Sequence, residues 1–209
     1  MKTIKHALVL GATGLVGKAL VTLLLKDPRY ARVTCLLRRP LQQSDFIDPQ
    51  GKLEPIVIDF ENLEAYQGYF GDAHIYVCLG TTIKQAQSKA AFRKVDFEYV
   101  HIAAQLARAQ NAHSFVWISS VGANAKSSNF YLRVKGELEN AIFAMSALNH
   151  SSAVRPSLLL GERKDQRRLE KVGATFATLF APLLRGRLAK YKPVYAVNVA
   201  ARMIKLQVF

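Results

Sequence analysis

Several things are scarce in these 209 residues, and each scarcity excludes something. There are only two cysteines, Cys35 and Cys78, so a disulfide framework cannot hold the fold. Both lie inside apolar runs that read as neighbouring strands, which makes them buried thiols and a reducing cytoplasm the expected location. The five histidines, His6, His74, His101, His113 and His150, are dispersed without ligand spacing, so no metal site is expected. The longest apolar stretch toward the chain's end, Val172 to Leu184, is too short to cross a bilayer. Basic residues precede an apolar run at Met1 to Leu10 in the manner of a signal peptide, but Gly11 stops the run after a strand's length. There is no internal repeat, no low-complexity tract, no Walker loop, no nucleophile elbow and no aromatic RNA-binding signature. Acidic residues are also few, 15 against 29 Lys and Arg, for a formal charge of +14. That balance would suit nucleic acid, an anionic membrane or a phosphorylated ligand, and it is equally the mark of a solvated basic surface, since no polybasic arm concentrates it.

What the chain does have is a repeated alternation. The length suits one domain with a single core, and half the residues are hydrophobic. Short apolar runs, the signature of strands covered on both faces, occur at Ala7 to Leu10, Val33 to Leu37, Pro55 to Ile58, Ile75 to Leu79, Phe115 to Ile118 and Ala153 to Val154. Helical patterns fall between them at Leu15 to Lys26, Ser88 to Gln110 and Asn129 to Ala147. Strand and helix in alternation predict an α/β fold, a doubly wound and mostly parallel Rossmann-type sheet with helices on both faces. Beyond Pro156 the pattern weakens. Asp165 to Arg187 reads as an amphipathic or buried helix and Val197 to Gln207 as a closing one, so residues 157–209 are expected to form a small substrate-facing lid.

The first strand-to-helix turn reads Gly11-Ala12-Thr13-Gly14-Leu15-Val16-Gly17. Gly11 permits a tight turn, Gly14 lets a pyrophosphate approach the backbone, and Gly17 lets the helix pack closely on the strand. The helix then offers free N–H groups and a positive dipole end to phosphate. Where a site for NAD would place an acidic residue, the second strand ends in Arg38-Arg39, whose guanidinium forks suit the 2'-phosphate of NADP. Two surface arginines in a basic protein are the plain alternative. Asp59 follows the third strand, either to meet the adenine edge or to cap the next turn. Tyr131 and Lys135 stand four apart on a helix, where the ammonium would favour phenolate during proton transfer. Ser119-Ser120 close the fifth strand twelve residues earlier, where a hydroxyl could polarise a carbonyl.

These features occur in an order that resembles the atypical short-chain dehydrogenase/reductases, and within them the Tat-interacting protein group. The similar segments are Gly11 to Gly17, Cys78 to Thr82, Phe92 to Asp96, Ser119 to Ala123, Ser127 to Tyr131, Lys135 to Glu139 and Arg155 to Arg163. The resemblance implies that Leu79, Gly80 and Thr81 line an NADPH cofactor, that Tyr131 and Lys135 hold the nicotinamide ribose and move a proton, and that Ser119 or Ser120 orients a substrate carbonyl, Ser119, twelve before Tyr131, being taken as the catalytic one. It also implies that Arg155-Pro156 begins a segment closing over the cofactor. Two functions follow as alternatives: an NADPH-dependent reductase of a small carbonyl substrate, or an NADPH-sensing regulator that acts through a protein partner. A third reading gives the basic surface a role at nucleic acid or membrane.

Overall fold

In the computed structural model, residues 5–42, 44–148, 150–160 and 192–208 are described. Six strands form one parallel sheet: β1 (Lys5–Leu10), β2 (Tyr30–Leu37), β3 (Leu53–Val57), β4 (Ala73–Val77), β5 (Ser114–Ile118) and β6 (Ser151–Val154). Their order is β3-β2-β1-β4-β5-β6, so the winding reverses between β1 and β4. Parallel strands need crossovers, and these occupy both faces. The side-chain period of two divides the strands cleanly: Ala7, Val9, Val33, Cys35, Tyr76 and Val116 enter one core, while Leu8, Leu10, Leu36, Ile75, Phe115 and Trp117 enter the other.

Helix α1 (Leu15–Lys26) buries Val16, Leu20, Val21, Leu24 and Leu25 in the first core, and its C-cap falls at Asp27, just before Pro28. It packs there beside the last helix, described below. The opposite core is covered by a 3-10 segment, Phe60–Tyr69, and by two longer helices. After a separate turn of helix, α2 (Ile83–Ala86), ended by Gln87 at a φ of 65°, one of these is assembled from α3 (Lys89–Arg93), a π-helical turn at Lys94–Glu98 and α4 (Tyr99–Ala109). The backbone is right-handed helical without a break from α3 through α4. The other is α5 (Phe130–Phe143), capped by Asn129, whose side chain accepts from Leu132 N.

Most sequence expectations hold to within a few residues, with three differences. Helix α5 ends at Phe143, not Ala147, because residues 144–148 turn back toward β6 with Ala147 at a positive φ of 63°. The fourth strand ends at Val77; Cys78 still donates its N–H to Leu10 O at 2.7 Å, and Leu79 and Gly80 then leave the sheet. Cys35 and Cys78 are not on neighbouring strands, since β1 lies between β2 and β4. Both are free thiols. Past β6, a two-residue parallel ladder joins β7 (Leu159–Leu160) to β8 (Val194–Tyr195), and α6 (Ala196–Lys205) closes the described chain. Burial of Val199, Ala200, Met203 and Ile204 seats α6 against α1. The helix expected over Asp165 to Arg187 lies outside the described residues, as do Gly161 to Arg163. No helix among the described residues is long and apolar enough to cross a membrane.

Candidate dinucleotide site

A groove of about 750 Å³ opens at the carboxyl ends of β1, β2 and β4, the position where the strand order reverses. Such reversals leave a crevice because the helices on either side depart in opposite directions. Its floor is Gly11 to Gly14, one wall is Leu36 to Pro40, and the other is Cys78 to Thr81 with Gln85, Ala86, Ala91, Val95 and Tyr99.

The glycines are explained by what a side chain would strike. Gly11 has a φ of +86°, and a Cβ there would lie 2.6 Å from the carbonyl carbon of Cys78 and 2.8 Å from Leu79 N. The turn off β1 therefore touches the turn off β4, which sets the depth of the groove. At Gly17 a Cβ would meet Gly11 O at 2.1 Å, so only glycine lets α1 start this close to the strand. Gly14 differs: its φ is an ordinary −73°, and a Cβ would meet nothing nearer than 3.4 Å. It is the N-cap of α1 with no side-chain cap, and the first turn of the helix carries no acidic residue. Leu15 and Val16 supply backbone N–H groups at that end, while the Val16 side chain is in the core. The result is an uncapped helix terminus facing an open groove, a natural anion site.

Arg38 and Arg39 stand exposed where β2 ends and line the same groove. Among the described residues neither is in an ion pair, unlike Lys94, which lies 2.6 Å from Glu61. The Tyr99 hydroxyl also donates to Glu61, at 2.6 Å, and burial followed by that hydrogen bond pushes the Tyr99 phenol above its usual pKa. Burial likewise raises the Cys78 thiol well above its ordinary range, so this groove-lining sulfur stays protonated. Asp59 acts as a cap: its carboxylate accepts from Glu61 N at 2.9 Å and starts the 3-10 segment.

The proton-transfer candidates sit one strand further along. Ser119 follows β5, donates its backbone N–H to Val154 O at 2.7 Å and is 2% exposed, with no hydrogen-bond partner for its Oγ among the described residues. The neighbouring Ser120 hydroxyl faces Val121 O at 3.3 Å. Tyr131 is the second residue of α5 and is partly exposed, its ring 5.7 Å from that of Phe92. Lys135, one turn on, is buried and lies 2.8 Å from Asp96 Oδ1; the other oxygen of Asp96 accepts the backbone N–H of Thr81 at 2.8 Å. Asp96 thus ties α5 to the groove wall, and sequence reasoning passed over it. A single acid inside an amphipathic helix gives no sign that it will be buried. Phe60, Gln85, Val95 and Tyr99 were missed for the same reason, since their meeting at the groove is tertiary.

Arg155 is not brought to the groove. Its guanidinium makes paired hydrogen bonds to Glu139, Nε to Oε1 at 2.8 Å and Nη2 to Oε2, and it lines a separate cleft of about 270 Å³ with Ala123 to Lys126, Gly136 and Asn140. Gly136 is required there, because a Cβ would lie 2.2 Å from Ala125 N. No group of three or more His, Cys, Asp or Glu among the described residues is placed to hold a metal ion.

A crevice at the reversal point, a glycine turn and an uncapped helix define a dinucleotide-binding Rossmann protein. Residues 11–181 match the family model described as NAD(P)H-binding, and the chain belongs to that family. Its relatives include "Protein FMP52-1, mitochondrial" of Scheffersomyces stipitis, 36% identical across 78% of this chain and 71% of that protein. "Protein HTATIP2" of Rattus norvegicus is 35% identical across 78% of this chain and 66% of that one. Among solved structures the fold is similar to MoeE5 in complex with UDP-glucose and NAD, with a TM-score of 0.69, 16% identity and coverage of 97% of this chain and 71% of that one. It is also similar to the PhqB reductase domain from Penicillium fellutanum, with a TM-score of 0.70, 15% identity and coverage of 99% and 65%. The resemblance stated from the sequence is thereby upheld, and the chain is an NAD(P)H-binding protein. The cytoplasmic location is corrected. Relatives from Scheffersomyces stipitis, Candida albicans, Debaryomyces hansenii and Lodderomyces elongisporus are named mitochondrial, and two buried thiols suit any reducing compartment, so the cysteines never carried that inference.

Proposed function

We propose that the chain is an NADPH-dependent reductase of a small carbonyl compound. One observation carries this reading: Arg38 and Arg39, free of ion pairs among the described residues, share a single groove with the glycine turn and the uncapped start of α1. In that groove the N–H groups of α1 would hold the pyrophosphate and the two arginines the 2'-phosphate. NADPH, when bound, supplies a hydride to the carbonyl carbon.

The remaining steps fall to the chain's own groups. The Ser119 hydroxyl, buried and unengaged, would donate to the carbonyl oxygen, whereas Ser120 is directed to a backbone carbonyl beside it. Tyr131 would pass its phenolic proton to that oxygen as it becomes an alkoxide, and Lys135 would hold the nicotinamide ribose. General acid catalysis of this kind is worth about 10²- to 10⁴-fold. The test is NADPH oxidation across a panel of small aldehydes, ketones and diketones by the native chain and by Tyr131→Phe. Turnover that falls about a hundredfold or more in the variant, with NADPH affinity intact, supports the assignment. Full turnover in the variant removes Tyr131 as the acid, and no turnover by the native chain on any member of the panel removes the carbonyl reductase.

A further inference from the structure

A cation in the first turn of a helix stands at the positive end of the dipole, where an acidic residue serves stability better. Lys18 occupies that place in α1: its backbone N–H donates to Gly14 O at 2.8 Å, and no acidic residue shares the turn. The compensating charge comes from 27 positions further along the chain, where Asp45 Oδ1 lies 2.7 Å from Lys18 Nζ. Asp45 is the more sheltered partner, its side chain 16% exposed against 46% for the lysine. Its other oxygen accepts the Gln42 N–H at 2.9 Å, while its own backbone N–H donates to Gln42 O at 3.0 Å. The carboxylate therefore closes a turn in its own loop and ties that turn to the helix whose N-terminus faces the groove.

That loop joins β2 to β3, and none of its described residues is helical. Arg38 and Arg39 begin it, and Pro40 follows them along the groove wall. Proline fixes its own φ, Leu41 packs against the first core, and Gln42 is held by Asp45, so little slack separates the arginines from the tie to α1. Phe46, next to Asp45, packs on the same core. We infer that Asp45 is a positioning residue for the arginine pair: bound to Lys18, it holds the turn after β2 at a fixed distance from the start of α1 and so sets a preference for NADPH over NADH; this rests on the reading of the groove as an NADPH site. The 2'-phosphate and the pyrophosphate belong to one ligand, so the two anion sites that receive them must keep a matching separation. A guanidinium meets phosphate through a planar fork of N–H groups, which makes its contacts sensitive to the placement of the backbone that carries it. Asp45 itself is not a phosphate ligand. As a partly exposed pair, Lys18 and Asp45 add little to stability, so the effect belongs to binding and not to folding.

Charge and position make opposite predictions for Asp45. By charge alone, neutralising an acid near a phosphate site strengthens NADPH binding and frees Lys18 to approach the ligand. By position, the same change weakens NADPH binding, because the turn that carries the arginines loses its tie to α1. The amide of Asp45→Asn can still accept from Gln42 N, so this variant keeps the turn and loses the ion pair. The test is a double-mutant cycle on the whole chain, with Asp45→Asn, Lys18→Met and the pair together, each titrated with NADPH and NADH through nicotinamide fluorescence. The expected result is that each single variant weakens NADPH binding about fivefold, and that the double variant is no more than about twofold weaker than either single. NADH affinity, which needs no 2'-phosphate contact, should stay within about twofold throughout. Tighter NADPH binding in Asp45→Asn, losses that multiply in the double variant, unchanged NADPH binding in the single variants, or equal losses for NADPH and NADH overturn the positioning role while leaving the groove as the cofactor site. A native chain with no preference for NADPH over NADH overturns the reading of the arginines and this inference with it.

Discussion

Gly14 and Gly17 stand three residues apart in one motif, and the structure predicts that alanine at each will fail for a different reason. At Gly17 the new Cβ would lie 2.1 Å from Gly11 O and 2.9 Å from Ala12 Cα. Both obstacles are backbone, so no side chain can swing aside and α1 must lift from the turn by about 1 Å to restore contact distance. Overpacking of that kind costs about 1 to 3 kcal/mol, and it moves the α1 N–H groups that would meet phosphate. At Gly14 the Cβ would meet only Gly11 O at 3.4 Å and Cys78 O at 3.9 Å, with an ordinary φ. The folded chain should lose only about 0.5 to 1 kcal/mol, the difference between glycine and alanine at an N-cap. The added methyl would instead occupy the floor of the groove where a pyrophosphate must lie against the backbone. Urea unfolding and NADPH titration of both variants separate the two effects. Gly14→Ala should retain nearly all its stability and lose at least tenfold in NADPH affinity, and Gly17→Ala should lose on both measures. Native affinity in Gly14→Ala would refute the reasoning, because no phosphate could then lie over that turn.

Other consequences are equally specific. His6 and His74 are both held near pKa 4, each chiefly by burial. Since the unfolded chain binds their protons near pH 6.5, stability is complete above that pH and falls as the pH drops toward 4. With allowance for screening, the two together should remove about 1 to 2 kcal/mol between pH 7 and pH 5. Denaturant midpoints at those two pH values check this, and a flat profile contradicts it. Gly136→Ala drives a Cβ to 2.2 Å from Ala125 N and 2.3 Å from the carbonyl carbon of Asn124. It should cost about 2 kcal/mol or more by displacing the 121–129 loop from α5, seen as a lowered melting temperature. Asp59→Ala removes the cap on the 3-10 segment and should cost about 1 kcal/mol, with no change in NADPH affinity if capping is the residue's whole task.

The parts of the fold that could be read in the sequence are those where one local rule suffices. The helix over Leu15–Lys26 is bounded by a glycine turn and Asp27-Pro28, and Ser88 marks the start of the second long helix because its hydroxyl caps Ala91 N. Asn129 does the same for α5. What could not be read depends on approach in space. Nothing in the run from Ser88 to Gln110 announces the π-helical turn at Lys94–Glu98, or that Asp96 will meet Lys135, 39 positions further along the chain. The segment Phe60–Tyr69 has weak periodicity and non-helical angles at Asn62 and Tyr66, and it gave no helical signal. In the candidate site, the glycine turn, Arg38, Arg39 and Leu79 to Thr81 converge as the linear order suggested. Arg155 does not, since Glu139, buried on α5, offers its guanidinium a bidentate partner. That contact joins the end of β6 to a helix 16 residues earlier, and a sequence motif carries no measure of it.

The central claim is that the groove between β1, β2 and β4 selects NADPH through Arg38 and Arg39. Parallel titrations of the native chain and an Arg38→Ala/Arg39→Ala variant with NADPH and NADH test it most directly. The account predicts that the native chain binds NADPH at least tenfold more tightly than NADH, and that the variant loses this preference while its weak NADH affinity is unchanged. Equal affinity of the native chain for the two, or a preference for NADPH that survives loss of both arginines, would contradict it.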